Sequence, residues 1–210
     1  YDGTWFVVSG QYAVNSGRGF KSIADGTNFS DFSYEADISA SSGGNAGILF
    51  RVTNPSIGVD NLYGYYAGID PGVDHIQVGK MSNNWAQLGV FSITIDPDTI
   101  YHMKIVMTGN CMEVFLTDMV SPKLTIYDST HTAGAIGLRN CDSSAEYDNI
   151  VVTSGSSPTP TPTPSPTPGP QSFSDNFNDG FDDGWTHYGG TWSVVNGEYT
   201  VIAGGGYKSI

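Results

Sequence analysis

A stretch at the start of the chain is repeated near its end, and this repeat constrains the organisation of everything between. Residues 1–12, YDGTWFVVSGQY, correspond to residues 188–199, YGGTWSVVNGEY, and the match continues from residues 19–23 to residues 206–210. Each matched residue stands 187 positions after its counterpart. Because a repeat unit buries its apolar face only when it is complete, the sequence predicts one nearly whole domain and the opening of a second copy.

A proline-rich segment separates the two copies. Thr and Pro dominate from Pro158 to Pro168. Proline fixes φ and lacks an N–H donor, so we expect an extended polyproline II spacer rather than a strand. The predicted parts are a sandwich module lacking its first strand at 1–154, a linker at 155–172 and the N-terminal part of a second copy at 173–210.

The charge balance limits the classes of partner. Acidic residues outnumber basic ones by 21 to 8, which gives a net charge of -13. Nucleic acids and anionic lipids need clustered Lys and Arg, so the composition argues against both. No apolar stretch approaches the length of a membrane span. Thr-Pro linkers are typical of secreted modular proteins, and we therefore expect a secreted or cell-surface protein with a neutral or cationic partner.

Alternation of apolar and polar residues with a period of two recurs along the first 154 residues. It is clearest at residues 32–38, 46–52, 101–107 and 112–116. Alternation of this kind is the pattern of half-buried strands, and the segments between are rich in Gly, Asn and Asp. The sequence therefore predicts an all-β fold, an antiparallel two-sheet β-sandwich.

Two predicted hairpins decide which side chains face outward. A turn at residues 41–44 would pair Glu35 with Arg51 and leave both on the outer face. The following hairpin would pair Ile69 with Ile76 in the core. Its outward-facing residues would be Tyr66, Gly68, Asp70 and Gln77.

The order of the strands resembles a known family. The segments in question are FSYEADI at 32–38, NAGILFRV at 45–52, YGYYAGID at 63–70, YHMKI at 101–105, GAIGLR at 134–139 and YDNIVV at 147–152. This order resembles the concanavalin A-like, laminin-G-like jelly-roll modules, and most of all the family 66 carbohydrate-binding modules appended to glycoside hydrolases. The resemblance implies a two-sheet jelly roll, a sugar-binding role and a structural calcium ion near the junction of the first and last strands.

The predicted carbohydrate site is an outward cluster on one sheet face. It comprises Glu35, Arg51, Tyr66 and Asp70, with Trp85 at a loop edge. Carboxylate and guanidinium groups form planar, bidentate hydrogen bonds with sugar hydroxyls, while an aromatic ring packs on the apolar face of the sugar. In the alternative interpretation, Glu35 and Arg51 are only an exposed cross-strand ion pair, and Tyr66 is ordinary strand filler.

An enzyme function is disfavoured by the spacing of the carboxylates. Glucanases of this superfamily carry two catalytic carboxylates on one strand, typically as Glu-x-Asp-x-x-Glu. The chain has four Glu residues, at positions 35, 113, 146 and 198, and none has this spacing. We therefore expect a noncatalytic polysaccharide-binding module.

Two aspartates are candidate calcium ligands. Asp148 lies in the position that the resemblance gives to a last-strand ligand, and Asp175 lies in the first-strand segment of the second copy. Oxygen ligands of this type suit Ca²⁺. The alternative for Asp148 and Asn149 is that they cap a turn.

A rival function follows from the expected missing first strand. A sandwich without that strand exposes a sheet edge, and an open edge recruits another strand. Residues 173–187 would then pair with residues 147–152, in the same chain or in another. Donation between molecules, through residues 173–210, would make the protein a surface or fibre component that assembles head to tail.

Overall fold

The described part of the chain is built entirely from β-strands and the turns between them. The computed structural model describes residues 2–155, 172–175, 185–186, 191–195 and 198–202. Within these ranges no helix is present that could cross a membrane. The strands are β1 Trp5–Val8, β2 Gln11–Ala24, β3 Phe32–Ala40, β4 Asn45–Thr53, β5 Tyr63–Asp70, β6 His75–Ser82, β7 Trp85–Ser92, β8 Tyr101–Thr108, β9 Cys111–Leu116, β10 Leu124–Tyr127, β11 Ala135–Ser154, β12 Ser172–Asp175, β13 Trp185–Thr186, β14 Thr191–Val195 and β15 Glu198–Ile202.

Two sheets share their long strands, β2 and β11. The strand order is β10-β9-β8-β3-β11 in one sheet and β11-β4-β5-β6-β7 in the other. The first part of β11 pairs with β4, and its part from Ala145 onward pairs with β3. Register shifts between Asn140 and Ala145 mark the crossing point, and β2 follows β11 through both sheets. The fold is the predicted antiparallel two-sheet β-sandwich.

The main core lies between the sheets and contains the side chains that the alternation predicted to face inward, except Val52, which lies beyond the bulge at Arg51 and packs on the other face. Ile69 pairs with Ile76, as predicted for the β5–β6 hairpin. A second, smaller apolar cluster lies on the other face of the β4–β7 sheet and includes Tyr66 and Met81. The inward residues of β3 and β4 in the main core are Phe32, Tyr34, Ala36, Ile38, Ile48 and Phe50.

The predicted β3–β4 hairpin is wrong. Glu35 pairs with Lys104 of β8 on one side and with Val151 of β11 on the other. β4 belongs to the opposite sheet, where it pairs with β5 and β11. The turn at residues 41–44 therefore crosses between the sheets. Alternation fixes the face of each side chain, but it does not select the partner strand.

The predicted outward position of Arg51 is also wrong. The β4–β5 register shifts between Phe50 and Thr53, and Arg51 has a φ of 52°. Such a bulge re-aims the side chain, and Arg51 is only 2% exposed. Its Nε donates to the carbonyl of Ser30 at 2.9 Å, its Nη1 to that of His131 at 2.9 Å and its Nη2 to that of Gly109 at 2.8 Å. The guanidinium thus binds the loops that contain Ser30, Gly109 and His131 and is not available to a ligand.

The repeat of the sequence is also a repeat of backbone pairing. In the β1–β2 hairpin Trp5 pairs with Val14, and in the β14–β15 hairpin Trp192 pairs with Val201. Both pairs are separated by the offset of 187 that relates the two copies in the sequence. The second hairpin therefore has the register of the first.

The segment that leads into the second copy pairs with the first sandwich. β12 pairs with β11, placing Phe173 opposite Val152, and β13 pairs with β2, placing Trp185 opposite Ala24. The predicted pairing of this segment with the last strand of the sandwich is thus present within one chain. Residues 156–171, which include most of the predicted linker, lie outside the described residues.

Candidate functional site

An open cavity of about 200 Å³ lies on the outer face of the β4–β7 sheet. Strands β2, β4, β5, β6, β7 and β11 and the loop before β5 all contribute to it, so residues distant in sequence meet there. The lining residues are Arg18, Asn45, Val59, Asp60, Tyr66, Gln77, Trp85, Arg139 and Cys141.

Two aromatic rings form the apolar part of the cavity. The rings of Tyr66 and Trp85 meet edge to face, with centroids 5.9 Å apart. The Tyr66 hydroxyl donates to Oδ1 of Asn45 at 2.8 Å. Two glycines make room for the rings: a Cβ on Gly68 would lie 2.1 Å from the Tyr66 hydroxyl, and one on Gly79 would lie 2.2 Å from the Trp85 ring. The rings therefore lie where the sheet carries no side chains.

Arg139 forms the polar wall. Its guanidinium lies 5.2 Å from the centroid of the Tyr66 ring, and its Nη2 donates to Oδ1 of Asp60 at 3.0 Å. A cation over an aromatic face is attracted by the ring quadrupole, which helps to fix the side chain. Arg139 is 5% exposed, and its buried Nε has no hydrogen-bond partner among the described residues.

Burial shifts the pKa values of two ionisable residues next to Arg139, Lys21 and Tyr66. Lys21 pairs with Arg139 across the β2–β11 ladder, and its Nζ donates to the carbonyl of Gly58. Burial first, and then the charge of Arg139, lowers the pKa of Lys21 to about 8. Burial raises the pKa of Tyr66 well above its usual value, although Arg139 opposes this shift. Tyr66 therefore remains a neutral phenol at neutral pH, able to donate a hydrogen bond.

The structure brings two of the five predicted carbohydrate-binding residues together. Tyr66 and Trp85 line the cavity. Asp70 is not among its lining residues, and Asp70 Oδ1 accepts a hydrogen bond from the Gly72 amide in the β5–β6 turn at 2.9 Å. Glu35 lies on the other sheet, and Arg51 is buried. The single outward cluster expected from the sequence is therefore divided among four places.

Sequence reasoning assigned no binding role to Asn45, Asp60, Gln77 or Arg139. The signal for Gln77 was present, because the alternation already turned it outward beside Gly68. A similar signal exists for Arg139, since Ile136 and Leu138 face the main core and the next residue faces away from it. Asp60 comes from a loop, where no alternation applies.

Glu35 belongs to an exposed polar network rather than to the cavity. Its carboxylate binds Lys104 at 3.1 Å and Nε2 of His102 at 3.2 Å, while Nδ1 of His102 lies 2.6 Å from Asp37. Burial acts to raise the pKa of Glu35, but the hydrogen bonds from Lys104 and His102 outweigh it and hold that pKa below its usual value. The alternative interpretation of Glu35 as an ion-paired surface residue thus holds, with Lys104 in place of Arg51.

Of the two predicted calcium ligands, the structure describes the side chain of Asp148 only. Oδ1 of Asp148 accepts the amide of Asn149 at 2.7 Å, and Asn149 has a φ of 49° where the β3–β11 register shifts, so the two residues lie at a bulge within β11. Burial and then the charge of Asp37 raise the pKa of Asp148. Among the described residues no group of three or more His, Cys, Asp or Glu is arranged to hold a metal ion. The side chain of Asp175 lies outside the described residues, and calcium binding stays a prediction.

Comparison with known proteins places this fold in a family. Residues 1–153 match the model of the 3-keto-alpha-glucoside-1,2-lyase-like domain. The chain belongs to this family. The solved structure of the carbohydrate-binding module CBM66 from Bacillus subtilis superposes with a TM-score of 0.61 at 25% identity, over 71% of this chain and 90% of the module. The predicted resemblance to family 66 modules is therefore confirmed for the fold.

Curated relatives of the domain are much longer proteins. A levanase of Bacillus subtilis (strain 168) is 28% identical over 158 residues, which cover 73% of this chain and 22% of the levanase. A levanase of Bacillus sp. (strain L7) is 28% identical over 131 residues, covering 61% of this chain and 14% of that protein. The chain spans less than a quarter of either relative. A glycosyl hydrolase-like structure from Parabacteroides distasonis, at 13% identity and a TM-score of 0.53, shares the fold alone.

Proposed function

We propose that the first sandwich is a carbohydrate-binding module of a secreted modular protein and that it holds a polysaccharide in the cavity of Tyr66, Trp85 and Arg139 without cleaving it. The observation that carries this proposal is the joining of an aromatic pair to an arginine–aspartate pair in one open cavity. Arg139 and Asp60 suit bidentate contact with adjacent sugar hydroxyls, and the part-exposed indole of Trp85 suits the apolar face of a sugar ring. The match to a solved carbohydrate-binding module supports the same function.

The carboxylates of the cavity support binding without hydrolysis. Glycoside hydrolysis ordinarily needs two carboxyl groups on either side of the scissile bond. Asp60 is the single carboxylate among the described lining residues, and it is engaged by Arg139. Glu35 and Asp37 lie on the other sheet and bind His102. Incubation of the full chain with levan and with a panel of plant polysaccharides is expected to release no reducing sugar; release that depends on Asp60 would contradict the proposal.

Replacement of Trp85 by Ala tests the cavity directly. The variant is expected to bind its polysaccharide at least about 10-fold more weakly in affinity electrophoresis, because a buried aromatic contact is typically a hot spot worth more than about 1 kcal/mol. Levan is the first probe, since the curated relatives are levanases. Phe91→Ala is the matched control, because Phe91 is an exposed aromatic residue on the same strand outside the cavity. Equal losses in the two variants would place the binding site elsewhere.

A second candidate function, assembly by strand donation, is favoured by the docking of β12 on β11 and of β13 on β2. These strands precede the second copy, yet they pair with the first. In a tandem protein the same pairing between molecules would link them head to tail.

Light scattering at increasing concentration tests this second candidate. Strand donation predicts a ladder of sizes that collapses in Ser174→Pro, because proline removes a donor from the β11–β12 ladder. Ser165→Pro in the proline-rich segment is the control and should leave the ladder of sizes unchanged. A monomer at every concentration would exclude assembly and leave the intramolecular pairing.

A further inference from the structure

The cavity carries positive charge that its own residues do not neutralise. Arg18 lines the cavity and is exposed, and its side chain forms no hydrogen bond or ion pair with any described residue. Arg139 lines the same cavity and has Asp60 as its ion-pair partner. Two guanidinium groups thus face one described carboxylate. The whole chain has only 8 basic residues against 21 acidic ones, so this local excess runs against the overall composition.

The hydrogen-bonding of Arg139 is also incomplete. Its Nη2 reaches Asp60, but its Nε is buried and has no acceptor among the described residues. A buried donor without an acceptor costs free energy. Lys21 lies on the adjoining strand and reinforces the positive field, since the charge of Arg139 contributes to lowering its pKa. The positive charge at this wall of the cavity therefore favours an anionic acceptor on the ligand.

We propose that the sugar held in this cavity is acidic and that its carboxylate lies between the guanidinium groups of Arg18 and Arg139. This inference rests on the proposed carbohydrate-binding function and specifies the class of sugar. Guanidinium groups match a carboxylate in both charge and planar geometry. The volume of about 200 Å³ is below the range of roughly 300–1,000 Å³ usual for drug-sized ligands, which suits a terminal sugar residue.

Charge complementarity favours an acidic sugar over a neutral one. Neutral hydroxyl groups would accept hydrogen bonds from Arg139, but they would offer no opposite charge to Arg18. The indole of Trp85 is compatible with either class, because it would contact the apolar face of the sugar ring. The acid group therefore binds the arginines, and the sugar ring packs against Trp85, which Tyr66 supports from behind.

The test compares acidic oligosaccharides with their neutral counterparts on the full chain. The probes are oligomers of galacturonate, glucuronate and mannuronate and a sialylated trisaccharide, each matched by its carboxyl-reduced form, together with levan. Calorimetry is expected to show at least one acidic probe binding about 10-fold or more tightly than its reduced form. This preference should weaken as NaCl is raised from about 50 to about 500 mM, because salt screens exposed charges.

Two variants test whether Arg18 causes the tighter binding of acidic probes. Arg18→Gln is expected to remove most of the difference between an acidic probe and its reduced form, while the affinity for the reduced form changes little. Lys123→Gln removes the same charge outside the cavity, where Lys123 pairs with Asp118, and should leave the preference intact. An equal effect of Arg18→Gln on both forms would overturn the inference.

The remaining outcomes separate this inference from the proposed function. If levan or a reduced oligomer binds as tightly as every acidic probe, and Trp85→Ala abolishes that binding, the module binds carbohydrate but the acidic preference is wrong. If levan alone binds, the preference is equally wrong. If no probe binds, both proposals fail.

Discussion

Arg51→Ala is expected to lower the free energy of unfolding by about 3–5 kcal/mol, the usual cost of breaking a buried charged network. The guanidinium donates to three carbonyls, those of Ser30, Gly109 and His131, and lies 3.4 Å from Asp31. Without it, these acceptors lose their donors in a buried environment. Urea denaturation monitored by tryptophan fluorescence measures the change.

Lys104→Ala is the control for the loss of a basic side chain on a strand. Lys104 forms an ion pair with Glu35 at the surface, and such pairs contribute less than about 1 kcal/mol. A loss of similar size in the two variants would contradict the structural role assigned to Arg51. The comparison also separates folding from binding, because neither residue lines the cavity.

Asp128→Asn is expected to lower the free energy of unfolding by about 2 kcal/mol at neutral pH, since hydrogen bonds to a charged group are worth roughly 1.5–3 kcal/mol. The carboxylate accepts from Lys80 at 2.7 Å, from the Tyr65 hydroxyl at 2.7 Å and from the Thr130 amide at 2.8 Å. These contacts hold the segment after β10 against the sheet. Denaturation at pH 7 measures the loss.

The effect of Asp128→Asn depends on pH. Burial acts to raise the pKa of Asp128, but its hydrogen bonds with Lys80, Thr130 and Tyr65 outweigh burial and hold the pKa well below its usual range. A depressed folded-state pKa gives stability that is complete above the unfolded-state value of about 3.9 and is lost as the pH falls toward the folded-state value. The difference in the free energy of unfolding between wild type and variant should therefore be smaller at about pH 2 than at pH 7.

Asp118→Asn is the control for this pH dependence. The carboxylate of Asp118 is half exposed and pairs with Lys123 at 3.6 Å, a contact expected to contribute less than about 1 kcal/mol. Its variant should show a small loss that changes little between the two pH values. A gap for Asp128→Asn that stays constant from pH 7 to about pH 2 would contradict the linkage.

Local patterns in the sequence predicted the local features of the fold. The alternation in β5 and β6 predicted both the core positions and the pairing of Ile69 with Ile76, because a short turn leaves little choice of register. The partner of β3 was not predictable in this way. β3 pairs with β8 and β11, which lie far along the chain, and alternation carries no information on such distant partners. The bulge at Arg51 then reversed the side chain that the pattern had placed outward.

The candidate site was predictable to the same extent. Tyr66 was correctly predicted to lie on the outer face of the sheet. Trp85 was predicted to bind carbohydrate, and it lines the cavity. Arg139 and Asp60 were missed because β11 and the loop before β5 meet this face only after the sheet has assembled. Local sequence patterns describe one strand at a time, so they do not predict a site that forms only where several strands come together.

The sharing of β2 and β11 by both sheets makes the sandwich a single cooperative unit. Opening either sheet would break pairing in the other, so we expect the two sheets to unfold together. Arg139 lies in the first part of β11, while Val152 in its last part pairs with β12. If the proposed ligand binds at Arg139, we expect it to raise the free energy needed to release the part of β11 on which β12 is docked.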